Sequence, residues 1–326
     1  MPKVLIAPMT LAGIGGPYLD LLRQAGFEPI YPPRAGQLTE AELLQLLPGV
    51  SATIAGSEPY TRRVIESNPA LRVIARAGVG FDAVDLKAAT DHGIAVTTTP
   101  GTNHGSVAEH TFGLMLALAR RIASDHCAVK AGGWPRQPTL PLRGRTLGIA
   151  GLGRIGKAVA TRALAFEMRV LAYEPFPDRD FVRQHGIELV PLDRLLAESD
   201  YVSLHVPLTP ESRHLINKRT LALMRPTAFL INTARGGLVC EADLLEALRA
   251  GRLAGAGLDV LEKEPPEGVN PLTQLDNVVV TPHSAGVDLQ SRDDMALSSA
   301  RSIVRLSRGE WPEAEVVKEV RAKFRW

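Results

Sequence analysis

Three side chains in the second half of this 326-residue chain carry recognisable chemistry: Arg235, Glu264 and His283. Each follows a short apolar run, Ala228–Thr233, Gly255–Val260 and Asn277–Thr281, and each lies in a Gly- or Pro-marked loop: ARGG, EKEPPEG and TPHSAG. An imidazole gains and loses a proton near neutral pH. A carboxylate beside it favours the protonated ring. A guanidinium pairs with a carboxylate through two parallel hydrogen bonds. In open α/β sheets ligands bind beyond the carboxyl ends of the strands, so three such groups at that edge form a candidate catalytic set.

A cofactor loop precedes them. The segment Arg145-Thr-Leu-Gly-Ile-Ala-Gly151-Leu-Gly153-Arg154-Ile155-Gly156 follows a strand-like run and opens a helical stretch, Lys157–Ala165. GxGxxG alone is a weak pattern, but here Glu174 ends the next apolar run, near the offset of about 20 residues expected of a dinucleotide fingerprint. Gly151 permits the turn, Gly153 the approach of a pyrophosphate, and Gly156 close helix–strand packing. The helix N-terminus offers amides to phosphate, and Arg154 is a candidate charge-assisted contact. A carboxylate at Glu174 accepts from ribose hydroxyls and repels a 2′-phosphate, which favours NAD(H) over NADP(H); Arg179 is the counter-indication. A second cluster, Gly13-Ile-Gly15-Gly16, lacks an acidic partner and reads as a turn before a helix opened by Pro17.

The elements that must position these groups alternate along the chain. Candidate strands are Val4–Ala7, Thr53–Ala55, Arg72–Ala75, Ala95–Thr98, Thr146–Ala150, Arg169–Ala172, Tyr201–Val206, Ala228–Thr233, Ala256–Val260 and Val278–Thr281. Short, continuously apolar runs fit parallel strands covered on both faces, and alternation with helices gives the α/β class. Turn residues at Thr97–Asn103 mark a domain break. The expected organisation is a first domain part over residues 1–100, a dinucleotide-binding domain over 101–288, and a segment over 289–326 that returns to the first. Ser106 and Glu109 fit a capping box opening a helix to about Ile122, with His110 read as helix packing. A further helix, Glu241–Ala250, ends at Gly251.

Composition narrows the function classes. With 45% hydrophobic and 22% charged residues the chain is an ordinary globular protein. A net charge of +2 gives no reason to expect nucleic acid or membrane partners. Cys127 and Cys240 have no metal-ligand or disulfide spacing and are expected to be small buried hydrophobes, and no metal is expected. The N-terminus reads as a strand and not a signal peptide. The apolar run Phe112–Ala119 is far short of the roughly 20 residues that span a bilayer. A cytoplasmic location is the expectation.

At this point the chain resembles a known family. GLGRIG, HVPLT (205–209), NTARGG (232–237), GLDV–EKEP (257–265) and TPHSAG (281–286) occur in this order in the D-isomer-specific 2-hydroxyacid dehydrogenases, as do RAGVGFD (76–82) and PGTN–SVAEH. The resemblance covers nearly the whole chain. It implies two doubly wound parallel-sheet domains, a Rossmann NAD-binding domain and a discontinuous flavodoxin-like substrate domain, with the active site in the cleft between them. It implies NAD as cofactor, Arg235 as the substrate-binding arginine, His283 as the acid/base and Glu264 as its partner. Val79 and Gly80 match the loop whose amides hold the substrate carboxylate, and Asn103 is a hinge-side candidate. Gly151, Gly153, Arg154, Ile155, Gly156, Glu174, Thr233 and Asp259 are the implied cofactor residues. His205 and Thr209 are expected to line the same channel, with a structural role for His205 as the alternative. A homodimer through the cofactor domain is implied, with the Phe112–Ala119 helix and the Trp134 loop as its candidate surfaces.

The implied reaction is hydride transfer to or from C2 of a small 2-oxo acid, with glyoxylate or hydroxypyruvate favoured. Phosphoglycerate-specific relatives often place an arginine where this chain has Gly56-Ser57-Glu58, and an acidic Glu58 there is expected to oppose a phosphate, although Arg62 and Arg63 are nearby. The chain also ends soon after its last helix, without the appended domain some phosphoglycerate dehydrogenases carry. The alternatives are D-3-phosphoglycerate oxidation, phosphite-type oxidation, and an NAD-sensing protein resembling the C-terminal-binding corepressors.

Overall fold

A computed structural model describes residues 1–317 and 320–326. The chain forms two compact units, Met1–Asn103 with Val287–Trp326, and His104–Gly286. The first unit runs β1 (Lys3–Ile6), α1 (Pro17–Gln24), β2 (Glu28–Ile30), α2 (Glu40–Leu46), β3 (Val50–Ala55), α3 (Arg62–Glu66), β4 (Val73–Arg76), α4 (Leu86–Asp91) and β5 (Ala95–Thr97). The second runs α5 (His104–Ala119), α6 (Ile122–Lys130), β6 (Thr146–Ala150), α7 (Arg154–Ala165), β7 (Arg169–Tyr173), α8 (Arg179–His185), β8 (Glu188–Leu189), α9 (Leu192–Glu198), β9 (Tyr201–Leu204), α10 (Lys218–Leu221), β10 (Phe229–Asn232), α11 (Glu241–Arg249), β11 (Gly255–Leu258) and β12 (Val278–Val280). The chain then re-enters the first unit with α12 (Leu289–Ser307).

Every strand pair is parallel. The first sheet has the order β2-β1-β3-β4-β5, which is the flavodoxin-like winding. The second has the order β12-β11-β10-β9-β6-β7-β8, a Rossmann winding extended by one strand, with its switch point between β6 and β9. Short strands of two to six residues suffice because helices cover both faces. In the second unit Leu147, Ile149 and Ile231 point into one buried cluster, while Ala150, Leu204 and Leu230 point into another. No helix of the described residues is long and apolar enough to cross a membrane.

Two strands have no counterpart among the sequence expectations. β2 (EPI) and β8 (EL) are edge strands of three and two residues. An edge needs one paired side and one buried face, so neither carries an apolar run, and Pro29 is tolerated there. The free side of β5 is closed by the C-terminal segment: Thr98 N donates to the Glu315 carbonyl (2.8 Å), and Val317 N to that of Val96 (2.9 Å).

The capping box at Ser106 does not form. α5 already begins at His104, so Ser106 lies inside its first turn and its hydroxyl donates to the Ala285 carbonyl at 2.8 Å. Glu109 instead pairs with Arg162 at 3.1 Å. The helix stops at Ala119, where Arg121 takes a left-handed φ of 55° before α6. Cys127 is exposed rather than buried, because α6 buries none of its residues. Gly16-Pro17 does open a helix, and Gly251 (φ +66°) ends α11.

Candidate active site

Each residue of the trio is held by the turn that ends its strand. After β10, the Asn232 side chain accepts from Ala234 N (3.1 Å) and donates to the Arg235 carbonyl (2.8 Å). This side-chain turn bends the chain out of the sheet at Arg235. The Arg235 guanidinium is half-buried and donates to the Ala234 carbonyl at 2.6 Å. The next residue, Gly236, packs so closely that a β-carbon on it would sit 1.9 Å from the Leu261 carbonyl oxygen. The arginine turn is thereby fastened to the loop after β11 that carries Glu264.

Glu264 uses both oxygens. Oε1 accepts from Leu261 N at 2.8 Å, and Oε2 contacts His283 Nδ1 at 2.5 Å. With Nδ1 directed at a carboxylate, Nε2 is the ring nitrogen left to serve a substrate. His283 adopts a left-handed φ of 53°, uncommon for a residue with a side chain. What holds it there lies beneath. Asp259, 1% exposed, accepts from Thr281 Oγ1 (2.6 Å), Ser284 N (2.9 Å) and Ala285 N (2.8 Å), and its backbone carbonyl accepts from His283 N (2.8 Å). The Thr281 hydroxyl gives its proton to Asp259, so His110 Nε2, 2.9 Å from that hydroxyl, must be the donor to it. His110 and Ser106 thus bind α5 to both ends of the histidine loop. Neither link is legible in sequence, because the partners are more than 170 positions apart.

Asp259 therefore orders the loop, a job that composition and spacing did not reveal. Thr233 is also buried, its hydroxyl 3.0 Å from that of Thr111.

The glycine loop sits at the switch point. Gly151 has φ +94°, and a β-carbon on Gly156 would lie 2.0 Å from the Gly151 carbonyl oxygen, so α7 rests directly on the turn. Gly153, by contrast, faces open space with nothing within 4 Å of where a β-carbon would be. Arg154 and Ile155 begin α7, whose first amides have no partner within the helix. Glu174 stands at the end of β7, accepting from Leu152 N (2.8 Å) and Phe176 N (3.0 Å). An open approach over Gly153, helix amides and a carboxylate at the second strand end fit a dinucleotide with a free 2′-hydroxyl.

His205 Nε2 meets Ser203 Oγ at 2.8 Å, while Nδ1 is enclosed and unpartnered among the described residues. Burial pushes the His205 pKa down to about 3. The ring is therefore neutral. Thr209 N donates to Ser212 Oγ at 2.8 Å, fixing the loop after β9.

In the first unit Val79 is 38% exposed on the loop after β4. The Gly80 carbonyl accepts from Arg76 Nε at 2.9 Å, and Gly78 N donates to Thr99 Oγ1 at 3.0 Å. Asn103 is buried with its Oδ1 unpartnered among the described residues. One expectation fails here. Glu58 is 2% exposed, so it does not stand at the surface to oppose an anion. Its carboxylate folds back onto Gly56 N at 2.5 Å, and burial raises its pKa.

Residues 112–285 match the family profile described as D-isomer specific 2-hydroxyacid dehydrogenase, NAD binding domain. The chain is 45% identical over 270 residues to a glyoxylate reductase of Korarchaeum cryptofilum, covering 81% of each. It is 43% identical to a D-3-phosphoglycerate dehydrogenase of Archaeoglobus fulgidus, covering 89% of this chain and 55% of that protein, so it spans about half of that relative's length. The structure of a D-lactate dehydrogenase from Aquifex aeolicus, complexed with NAD and lactic acid, superposes with a TM-score of 0.84 at 30% identity, covering 97% of this chain and 98% of that one. This chain belongs to the D-isomer specific 2-hydroxyacid dehydrogenase family, and is an NAD-dependent oxidoreductase acting on CH–OH groups.

Proposed function

We propose that the protein interconverts a small, unphosphorylated 2-oxo acid of the glyoxylate or hydroxypyruvate type with its D-2-hydroxy acid. The observation that carries this reading is the contact of Glu264 with His283 Nδ1, which leaves Nε2 to face substrate. His283 protonates the oxygen at C2 during reduction and takes that proton back during oxidation. Glu264 stabilises the charged ring and fixes its orientation. Arg235 pairs with the substrate carboxylate and polarises the adjacent carbonyl, and the Val79 and Gly80 amides hold the same carboxylate. When bound, the nicotinamide supplies or accepts the hydride. Gly151, Gly153, Arg154, Ile155 and Gly156 receive its pyrophosphate; Glu174 binds the adenosine ribose; His205, Thr209, Thr233 and Asp259 border the nicotinamide half.

The substrate preference has two supports. The Korarchaeum relative is named a glyoxylate reductase. The Glu58 carboxylate folds back onto Gly56 N, so that amide is not free for a phosphate. Arg62, the neighbouring candidate, already pairs with Glu66 at 3.0 Å and Asp91 at 3.5 Å. NADH-oxidation rates across glyoxylate, hydroxypyruvate, pyruvate, phenylpyruvate and 3-phosphohydroxypyruvate test the reading. A preference for the phosphorylated acid would overturn it in favour of D-3-phosphoglycerate oxidation, and inertness toward all five would leave the sensor alternative.

We also propose a homodimer. Of the two expected surfaces, the Phe112–Ala119 helix buries Phe112, Leu114, Met115 and Leu118 in its own unit, which leaves the Trp134 loop. The surface left apolar lies on α6 and beyond it, where Ile122 and Val129 are exposed and Trp134 is 81% exposed. Light scattering of the intact protein and of Trp134→Ser tests this: a monomeric wild-type protein would refute it.

A further inference from the structure

The first unit contains two buried charged side chains, Arg76 and Glu58, that the proposed reaction does not use. Arg76 closes β4 and is paired in register with Ala55, the last residue of β3, while Ala77 N donates to the Ala55 carbonyl at 2.8 Å. The two strand-end turns therefore leave the sheet side by side. One turn, Gly56–Tyr60, carries Glu58; the other, Ala77–Val84, carries Val79 and Gly80. They are stitched again further out, where Tyr60 N donates to the Ala83 carbonyl (2.8 Å) and Asp85 N to that of Tyr60 (2.9 Å).

Arg76 and Glu58 are 8% and 2% exposed, an arrangement that a charged side chain tolerates only when it is paired and hydrogen-bonded. Arg76 Nε donates to the Gly80 carbonyl at 2.9 Å. Glu58 holds Gly56 N at 2.5 Å. Burial raises the Glu58 pKa, and the positive charge of Arg76 opposes that rise. From the other side Ser299 Oγ of α12 donates to the Arg76 carbonyl at 3.3 Å, and Gly78 is held by a reciprocal pair with Thr99, each bond 3.0 Å.

We propose that Arg76 is a positioning residue that pins the Gly80 carbonyl and so aims the Val79 and Gly80 amides at the substrate carboxylate. The Gly80 carbonyl shares its rigid peptide plane with Phe81 N, and the Gly78 carbonyl, held by Thr99 N, shares its plane with Val79 N, so the two bonds pin both ends of the segment that carries the Val79 and Gly80 amides. A flexible glycine loop without this anchor would spend binding energy on ordering before it could grip a carboxylate. The proposal rests on the reading that this loop binds the substrate carboxylate.

The test compares steady-state kinetics and NADH binding by fluorescence in Arg76→Met, Arg76→Lys, the double variant Arg76→Met/Glu58→Gln, and Gly80→Pro. The double variant leaves no unpaired buried charge, so it reports on the loop even where the single Arg76→Met fails to fold. Arg76→Met and the double variant are expected to raise KM for the 2-oxo acid about tenfold, the scale of a lost hydrogen bond from a charged donor. The NADH Kd should stay at the wild-type value, and kcat should change far less than KM. Arg76→Lys, which keeps a donor and the charge, should recover part of the loss. Gly80→Pro removes a loop amide and should raise KM on its own. A folded double variant with wild-type KM overturns the brace while the loop reading stands if Gly80→Pro still raises KM. Wild-type KM in Gly80→Pro overturns both.

Discussion

Two substitutions in the cofactor loop, three residues apart, should have opposite signatures. At Gly156 an added methyl would sit 2.0 Å from the Gly151 carbonyl oxygen and 3.3 Å from Ile149 Cγ2. Ordinary contact begins at 3.4 Å, so α7 must retreat from the turn by about 1.4 Å. The obstacle is backbone and cannot rotate away. Overpacking of this kind costs about 1–3 kcal/mol. For a unit of this size each kcal/mol moves the melting temperature by about 2–4 °C. Gly156→Ala should therefore melt roughly 2–12 °C lower. At Gly153 nothing lies within 4 Å of the new methyl, and φ is −70°, which alanine adopts freely. Gly153→Ala should melt at or slightly above wild type, through a stiffer unfolded chain worth about 0.4–1 kcal/mol. It should nonetheless weaken NADH about tenfold or more, a cost of about 1.4 kcal/mol per decade, because the methyl occupies the approach of the pyrophosphate. Thermal melts without cofactor and NADH fluorescence titrations read the two effects separately. Wild-type NADH affinity in Gly153→Ala would refute the seating of the pyrophosphate over that residue.

Further outcomes follow from the same geometry. His283→Ala should abolish most turnover of the preferred 2-oxo acid while NADH binding survives; normal rates would exclude it as the acid. Glu264→Gln should lower kcat about tenfold or more with little change in NADH affinity, since it removes the charge beside the imidazolium and not a cofactor contact; a wild-type kcat would show that the pairing is structural. Glu174→Ser should improve NADPH relative to NADH, measured as the ratio of kcat/KM, and an unchanged ratio would count against Glu174 as the cofactor discriminator. Burial keeps His205 neutral to about pH 3 when folded, whereas the unfolded chain protonates it below its ordinary value of 6.5. The stabilisation is thus complete above pH 6.5 and lost as pH falls toward 3, by at most about 1.4 kcal/mol per pH unit and less for a ring partly in contact with solvent. His205→Gln should flatten the acid limb of a melting-temperature profile, and an unaltered limb would refute the assignment.

The α/β class, the strand–helix alternation, the glycine loop with Glu174, and the loops after strand ends that carry Arg235, Glu264 and His283 were all legible in sequence, because each is a local signal. A parallel strand is a short apolar run, a dinucleotide turn needs glycines at fixed offsets, and a catalytic group must leave its strand end through a breaking loop. The edge strands β2 and β8 were not legible, since half-exposed strands of two or three residues carry no apolar signature. The same limit applied to α5, where a serine–glutamate spacing resembled a cap but the helix had already started at His104.

Tertiary structure decided what each polar residue faces. An acidic residue written after a strand can stand in solvent or turn inward, and only packing selects between them. Glu58 turned inward onto Gly56, which removes the surface carboxylate that was expected to oppose a phosphate. Asp259 turned inward onto Thr281, Ser284 and Ala285, which made it the support of the histidine loop. Sequence named Arg235, Glu264 and His283 by type and position; the fold brought Glu264 and His283 to 2.5 Å and laid Asp259, Thr281 and His110 beneath them. Contacts across 19 to 171 positions depend on how sheet and helices close together, and no local pattern encodes that closure.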